Sequence, residues 1–338
     1  MAEPAVEHPL AAAAPVAPDP DATASTQTPP TGPPSGSATA AVDPAEAWET
    51  GPALVASLSP SRAGDFMTCP LLYRFRTVDR IPERPSPVAV RGTVVHQVLE
   101  DLFDLPPGRR TLEQAVELLP HAWDTVQESE PGLAEQLFES ADEAAAWLAT
   151  AQPLLEAYFR LEDPTTLDPA ERELRVETTL DDGLVLRGYV DRLDRNAAGE
   201  TRVVDYKTGK APGEGYEQKA LFQMRFYALV LWRATGVVPR LLQLLYLGSE
   251  HVLRYAPDEA DLVATERKVR ALWAAILRAH ETGDWRPSPS RLCDWCDHQV
   301  RCPAFGGTPP PLPGPVPVRL APPAALPQEQ PVAADDVS

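Results

Sequence analysis

The stretch Val203-Val204-Asp205-Tyr206-Lys207-Thr208-Gly209-Lys210 puts an acid and a lysine two positions apart, directly after an apolar run. Side chains alternate along a β-strand, so Asp205 and Lys207 are predicted to share one face of a strand. A second acid, Asp191, lies in the strand-like segment Gly188-Tyr189-Val190-Asp191-Arg192-Leu193-Asp194 just before it. The pattern predicts two carboxylates that hold a divalent cation beside a lysine, which suits hydrolysis of a phosphodiester bond.

The turn between these two segments decides whether their acids can meet. The segments 184–195 and 201–207 are separated by Asn196-Ala197-Ala198-Gly199, a turn-forming sequence. Asp191 lies opposite Asp205 only if the turn is centred on Ala198, because the two acids are equally far from that residue. A loop of 196–199 alone would put the acids on opposite faces. An odd loop or a bulge is therefore predicted here.

The rest of the chain predicts an α/β fold with a helix-rich first part. Apolar residues recur at helical spacing up to about residue 160, and alternation with polar residues follows. The expected elements are a short helix from Ser59-Pro60, a helix containing His96, helices over 112–160, three antiparallel strands over 173–180, 184–195 and 201–207, a helix from Glu217, strands over 241–247 and 251–255, and a helix over 258–282.

Both ends of the chain differ from the middle in composition. Residues 1–52 and 306–338 are rich in proline and alanine without apolar periodicity, so both are predicted to be disordered tails. The formal net charge of −19 argues against broad contact with nucleic-acid phosphates. Six arginines across residues 61–92 face only three acids, a pattern that fits either a local basic patch or solvated surface charges.

The sequence disfavours membrane proteins and nucleotide-driven motors. No segment reaches the roughly 18 apolar residues that a membrane span needs, and the N-terminus lacks a basic region followed by an apolar core. Gly209-Lys210 lacks the glycine five residues earlier that a phosphate-binding loop needs. We therefore expect a cytoplasmic protein with no membrane partner and no motor of its own.

The four cysteines form the second informative pattern. Cys293, Cys296 and Cys302 form a C-x-x-C-x-x-x-x-x-C cluster, and Cys69 lies more than 200 residues upstream. A cytoplasmic C-x-x-C pair favours metal or redox chemistry over disulfide bonds. Structural zinc sites usually take their ligands in two close pairs, whereas a triplet with one remote cysteine also fits an all-cysteine iron–sulfur cluster. Spacing alone leaves both zinc and an iron–sulfur cluster open.

Six motifs follow one another along residues 57–305. They are Leu58-Ser59-Pro60-Ser61 with Cys69-Pro70 and Tyr73, Arg91-Gly92-Thr93-Val94-Val95-His96, Gly188-Tyr189-Val190-Asp191-Arg192, Val204-Asp205-Tyr206-Lys207-Thr208-Gly209, Gln223 with Tyr227, and the cysteine triplet. In this order they resemble the RecB-type branch of the PD-(D/E)XK nuclease superfamily, in particular its iron–sulfur nucleases of the AddB-like and CRISPR-adaptation type. The resemblance implies a restriction-endonuclease-like core over 53–305, a mixed sheet flanked by helices, with a helical insertion at about 105–165.

The resemblance also implies a role for each matching residue. Asp191 and Asp205 would be carboxylate ligands of Mg²⁺ or Mn²⁺, with His96 and the backbone carbonyl of Tyr206 completing the ligand set. Lys207 would orient the attacking water or offset the charge that develops in the transition state. All of the family's catalytic positions are occupied by matching residues here, so the site is predicted to be catalytic.

The remaining family residues are assigned supporting and structural roles. Gln223 and Tyr227 would contact the scissile strand or order the site. The region 286–305 would hold a 4Fe-4S cluster together with Cys69, and zinc becomes the less favoured occupant. The four cluster ligands would be Cys69, Cys293, Cys296 and Cys302.

Some of these residues also have an ordinary structural interpretation. His96 on an apolar helix fits a packed core histidine, and Gln223 and Tyr227 are spaced to share one helix face at the edge of the core. Glu173 and Glu177 flank a half-exposed strand, so they are interpreted as surface residues and not as metal ligands.

The function implied by the resemblance is metal-dependent cleavage of DNA. The expected activity is that of an exonuclease on single strands or DNA ends in repair or recombination. A separate helicase would supply single strands from long duplexes. The alternatives are a non-catalytic DNA-end-binding or scaffold subunit of a helicase–nuclease complex, and a nuclease of CRISPR spacer acquisition.

Overall fold

The computed structural model describes residues 54–213, 218–312 and 318–320. The predicted N-terminal tail, residues 1–52, lies outside this described part, as does Glu217, the expected first residue of a helix. None of the described helices is long and apolar enough to cross a lipid bilayer.

The described residues form seven strands and ten α-helices, and eight of the helices lie between the first two strands, in the helix-rich first part that the sequence predicts. The strands are β1 (Leu54–Leu58), β2 (Pro169–Thr179), β3 (Val185–Arg195), β4 (Thr201–Lys207), β5 (Leu241–Tyr246), β6 (His251–Tyr255) and β7 (Val318–Leu320). The α-helices are α1 (Pro60–Thr68), α2 (Pro70–Tyr73), α3 (Pro87–Leu102), α4 (Leu112–Glu117), α5 (Leu119–Ser129), α6 (Leu133–Leu137), α7 (Ala141–Ala149), α8 (Gln152–Leu161), α9 (Gln218–Thr235) and α10 (Glu259–Thr282).

The strands form one mixed sheet in the order β6-β5-β4-β3-β1-β7, and β2 pairs with β3 outside this path. The meander of β2, β3 and β4 is antiparallel, as predicted, and so is the pair β5 and β6. β1 runs parallel to β3, and β4 runs parallel to β5. The prediction of a mixed sheet flanked by helices is confirmed.

Each face of the sheet is covered by its own hydrophobic core. Val203 belongs to the core that includes Phe226 of α9 and Ile276 of α10. The next residue, Val204, belongs to the second core, with Val95 of α3 and side chains of α4 to α8. Alternation along β4 thus buries both faces of the strand that carries the central motif.

A buried arginine joins the helix-rich part to the sheet. Arg192 of β3 is fully buried and forms ion pairs with Glu162, just after α8, at 2.8 Å and with Asp194 at 3.0 Å. Its Nη1 also donates a hydrogen bond to the Tyr206 hydroxyl at 2.8 Å. Breaking a buried charge network on one side costs about 3–5 kcal/mol because the remaining charge is left unpaired. Arg192 therefore holds β3, β4 and the end of α8 in one fixed arrangement.

Two strands were not expected from the sequence patterns. β1 precedes the Ser59-Pro60 helix start, and β7 lies inside the segment 306–338 that composition predicts as a disordered tail. β7 pairs in parallel with β1. Upstream of it, Arg74 donates a hydrogen bond to the Pro310 carbonyl. A strand of three residues is too short to show an apolar periodicity. The proline-rich composition around it therefore gave no sign of a strand.

Candidate active site

The turn between β3 and β4 has the odd length that the site requires. The ladder pairs Arg192 with Val204 and Arg195 with Thr201, and both pairs are equidistant from Ala198. Asn196 closes the five-residue loop 196–200 by accepting hydrogen bonds from the N–H groups of Ala198 and Glu200 at 3.0 and 2.9 Å. An asparagine that caps its own turn fixes the loop length. The same register places the two predicted acids opposite each other, so the register prediction is confirmed.

The two acids lie where β4 separates from β3. On this edge of β3, the described strands pair with residues 185–186 through β1 and with residues 192–195 through β4. In the gap between them, the backbone N–H of Tyr206 donates to Asp191 Oδ2 at 2.6 Å. The Asp191 carboxylate thus takes the place of a strand partner in this gap, which we call the fork between β3 and β4. Its position is set by the ladder on one side and by this hydrogen bond on the other.

Glu173 is the site residue that the sequence interpretation missed. The β2–β3 ladder pairs Arg172 with Arg192 and Leu174 with Val190, which puts Glu173 opposite Asp191. The register argument used for β3 and β4 would have found it if applied to this hairpin. Its φ of 44° is left-handed, a strained conformation for a side-chain-bearing residue that costs of order 1–3 kcal/mol. Its assignment to the surface is therefore wrong.

His96, Glu173 and Asp191 form a group that fits one metal ion. Ligand atoms of the three residues all lie within 4.8 Å of one another. His96 Nδ1, on α3, is 3.5 Å from Asp191 Oδ2, and its ring packs edge-on against Tyr206. Helix α3 carries the histidine to the fork because its apolar side packs on the sheet through residues such as Val95. The predicted histidine and one predicted acid therefore meet, with a third ligand added by β2.

Asp205, Lys207 and Gln223 form the other half of the site. Asp205 is 4% exposed, and Lys207 Nζ lies 2.5 Å from its Oδ2. Gln223 Nε2, on α9, donates to Asp205 Oδ1 at 2.9 Å. The acid and the lysine share a strand face, as the alternation predicts, and the glutamine fixes the carboxylate from the helix. The structure thus brings all three together.

The charges of the site favour the binding of a cation. Burial, followed by the charge of Asp191, raises the pKa of Asp205 to about 6. Burial and the same neighbour raise the pKa of Glu173 to about 7. Burial would lower the pKa of His96, but the hydrogen bond and charge of Asp191 outweigh it, and the pKa is raised. A divalent cation bound among these carboxylates would favour their charged form and lower their pKa values again. The donor set of carboxylate oxygens and one histidine therefore fits Mg²⁺ or Mn²⁺.

Tyr227 lies one helical turn after Gln223 and packs against the backbone of β3. A Cβ atom at Gly188 would lie 2.6 Å from Tyr227 Cε1, so this position has room for glycine alone unless the ring moves. Burial, followed by the charge of Asp205, raises the pKa of Tyr227, which stays a neutral phenol. The glycine of the Gly188-Tyr189-Val190-Asp191 motif is thus explained by this close approach.

The four cysteines lie together, away from the acids. Their side chains line one mostly apolar cavity of about 60 Å³. Backbone N–H groups donate to two sulfurs, from Ser288 to Cys69 Sγ at 3.4 Å and from Ser290 to Cys293 Sγ at 3.3 Å. The cavity therefore brings together the four cysteines that the sequence predicts to share one site.

Comparison with known proteins agrees with this geometry. Residues 57–303 match the PD-(D/E)XK nuclease superfamily. The chain is 24% identical over 287 residues to the Gene 69 protein of Mycobacterium phage D29 and 23% identical over 289 residues to that of Mycobacterium phage L5. Each alignment covers 73% of this chain and 96% of the phage protein.

Two solved structures are also similar to the chain. A candidate exonuclease from Eubacterium rectale has a TM-score of 0.48 at 16% identity, covering 72% of this chain and 87% of that one. A protein named SSO0001 has a TM-score of 0.36 at 16% identity, covering 74% and 86%. The family match over residues 57–303 spans most of the described residues. The chain belongs to the PD-(D/E)XK nuclease superfamily.

Proposed function

We propose that the protein is a metal-dependent DNA nuclease of the RecB type. The observation that supports this most strongly is the row of three carboxylates, Glu173, Asp191 and Asp205, side by side on β2, β3 and β4. A histidine and a lysine reach the same point from α3 and β4. Clustered acids with raised pKa values are unfavourable by themselves and favourable around a hard divalent cation.

The three carboxylates, the histidine and the lysine have different roles in the proposed hydrolysis. His96, Glu173, Asp191 and Asp205 would hold Mg²⁺ or Mn²⁺, with the carbonyl of Tyr206 as a further ligand. The ion supplies charge neutralisation and an acidified water when bound. Lys207 places a positive charge beside the position where negative charge develops at the phosphate.

Supporting residues keep Asp205 and its neighbours in position. Gln223 holds the Asp205 carboxylate through the 2.9 Å hydrogen bond from α9. Tyr227 closes the site from the same helix, against Gly188. Both are positioning residues in this proposal, because their contacts are to protein groups of the site.

The cysteine cavity is proposed to hold a 4Fe-4S cluster. Thiolate ligands and N–H donors to the sulfurs suit such clusters. The cluster would link the turn between α1 and α2 to residues 293–302, closing a loop of more than 200 residues. It would thereby stabilise the domain, as other cross-links of long loops do. No chemical step of hydrolysis is assigned to it.

The substrate and setting follow from the family resemblance. We propose exonucleolytic action on single-stranded DNA or DNA ends, in the cytoplasm, during repair or recombination. A separate helicase would supply the strands. A scaffold subunit would not need a cluster of carboxylates, so this cluster favours a nuclease over the scaffold alternative. A nuclease of CRISPR spacer acquisition would use the same chemistry.

The test is cleavage of end-labelled single- and double-stranded DNA by anaerobically purified protein, with Mg²⁺ or Mn²⁺ and with EDTA. We expect cleavage that needs the metal and is lost in Asp205→Ala. Cleavage that persists in Asp205→Ala would contradict the assigned site. A folded, iron-containing wild-type protein that cleaves no DNA, alone or with a helicase, would contradict the proposed function and favour the scaffold alternative.

A further inference from the structure

Two clefts open on either side of Lys207, and they differ in charge. The first has a volume of about 800 Å³ and is lined by five basic side chains and one acidic side chain. The second has a volume of about 580 Å³ and is lined by Lys207, His96, Glu100 and Glu173. Lys207 borders both clefts, so both lead to the active site. The first cleft therefore attracts a long polyanion more strongly than the second.

The wall of the first cleft is formed partly by the exposed face of β2 and β3. Arg187 and Tyr189 alternate along β3, so their side chains share this face, and both line the cleft. Successive positions are about 7 Å apart, because a strand rises about 3.4 Å per residue. That spacing is close to the separation of successive phosphates in an extended nucleic-acid strand. Arg175 of β2 pairs with Tyr189 in the ladder and widens this face.

Two arginines in this cleft have no carboxylate partner among the described residues. Arg62 of α1 donates to Ser57 Oγ at 3.1 Å, which holds its side chain in place. Its pKa is lowered by burial and then by the nearby charge of Arg187. Arg62 and Arg187 are like charges that repel each other, and an anion that binds between or beside them stabilises both. The pair therefore favours binding of a phosphate.

Tyr189 supplies the apolar contact that a base needs. Its side chain is 58% exposed, although the neighbours before and after it on β3, Gly188 and Val190, are buried. An exposed aromatic ring between basic groups is the arrangement by which proteins bind single strands without reading their sequence. In a duplex the bases are already stacked, so the ring would have no base to contact.

We propose that the cleft lined by Arg62, Arg187 and Tyr189 binds the uncut part of a single-stranded DNA and leads it to Lys207, which is paired with Asp205. Phosphates bind the two arginines, and one base stacks on the tyrosine. The proposal rests on the proposed nuclease function, and it adds which cleft holds the strand and from which side the strand approaches.

Binding can be tested without catalysis. Fluorescence anisotropy of a labelled single-stranded 20-residue oligonucleotide, measured in EDTA at several salt concentrations, would be compared for the full chain and its variants. We expect Arg62→Ala and Arg187→Ala each to lower the affinity and to reduce the slope of log K against log salt by about 0.7, because each removes one phosphate contact. Tyr189→Leu should lower the affinity about 5- to 150-fold with no change in slope.

Two controls separate charge from structure. Arg187→Lys keeps the charge and should keep the slope. Arg195→Ala removes an exposed arginine at the other end of β3, next to the turn, and should change neither affinity nor slope. Folding of each variant would be checked by circular dichroism.

The outcomes are distinct from those of the cleavage test. Slopes and affinities that stay at the wild-type value in folded Arg62→Ala and Arg187→Ala would overturn the proposal, even if the protein cleaves DNA. Tighter binding of duplex than of single strand, lost in the same variants, would overturn the single-strand assignment. Binding lost in these variants would support it even if no cleavage were found.

Discussion

The three acids of the candidate active site come from residues 173–205, whereas the four cysteines come from opposite ends of the fold. The acids meet because two hairpins set the register of neighbouring strands, a local property of the chain. The cysteines meet only after α1 and the residues beyond α10 have come together. A locally built site can lose its function without losing the fold, and a site built by chain closure loses both together.

The largest expected effect is a loss of DNA cleavage without a loss of stability when one of the acids is changed. Asp205→Asn should lower DNA cleavage by about 10²–10⁴-fold, because the ligand charge is removed while its shape is kept. Its melting temperature should not fall, because the buried carboxylate is itself unfavourable, as its raised pKa shows. Initial rates and differential scanning calorimetry would be measured on the same samples.

Asp142→Asn serves as the matched control for this prediction. Asp142 lies on the exposed surface of α7, far from the fork, and the same change there should leave the rate unchanged. A fall in melting temperature of several degrees for Asp205→Asn would show that the acid site also carries stability, and the contrast with the cysteines would not hold.

The second prediction concerns the cysteine cavity. Cys69→Ser should lower the free energy of unfolding by about 5 kcal/mol, the size expected for opening a closure of this length. Thermal unfolding and the iron content of anaerobically purified protein are the measurements. Stability equal to that of the wild type, with iron still bound, would show that Cys69 is not a ligand. Zinc in place of iron would correct the cofactor and keep the closure.

The third prediction tests the contact between α9 and β3. Gly188→Ala should cost about 1–3 kcal/mol of stability and lower the cleavage rate, because its Cβ would displace the Tyr227 ring. Gly108→Ala, where a Cβ meets nothing within 4 Å, is the matched control. Adding Tyr227→Ala to Gly188→Ala should recover part of the lost stability. A double variant as unstable as the sum of the two changes would rule out the steric explanation.

The smallest effect is a dependence of stability on pH. The pKa of Glu173 is about 7 and that of Asp205 about 6 in the folded protein, both above their ordinary values near 4. The folded state therefore binds more protons, and this contribution to stability is lost as pH rises from about 4 to 7. In EDTA the melting temperature should fall across that range, less steeply in Glu173→Gln than in the wild type.

Metal should reverse this trend. Because the ion binds the deprotonated acids, added Mn²⁺ should raise the melting temperature more at pH 8 than at pH 5. Glu171→Gln, an exposed acid on the same strand, should leave both curves unchanged. A metal response that is equal at the two pH values would mean that the ion binds elsewhere.

The sequence predicted the parts of the site that depend on alternation and turn length. Asp191, Asp205 and Lys207 follow from strand period and from a turn centred on Ala198, both local quantities. Glu173 obeys the same rule, but its strand alternates weakly and its own backbone leaves the regular β conformation. The half-exposed pattern therefore suggested a surface residue.

Long-range features were less predictable. Arg192 sits in a motif of alternating charges that suggests surface pairs, yet it is fully buried because Glu162, thirty positions earlier, neutralises it. Its partner is set by the packing of α8 on the sheet, which no local pattern encodes. The two clefts arise in the same way, the first where α1, α9 and the β2–β3 hairpin meet, and the second where α3 faces β2 and the end of β4.

The short strand β7 also bears on where the chain can be cut. A protein shortened at residue 305, where composition places the end of the fold, would lose the backbone partner of β1. The N–H and C=O groups along that side of Leu54–Leu58 would then be free to pair with another molecule. The proline-rich segment that contains β7 would in this way protect the edge of β1 from aggregation. Removing it should make the protein less soluble.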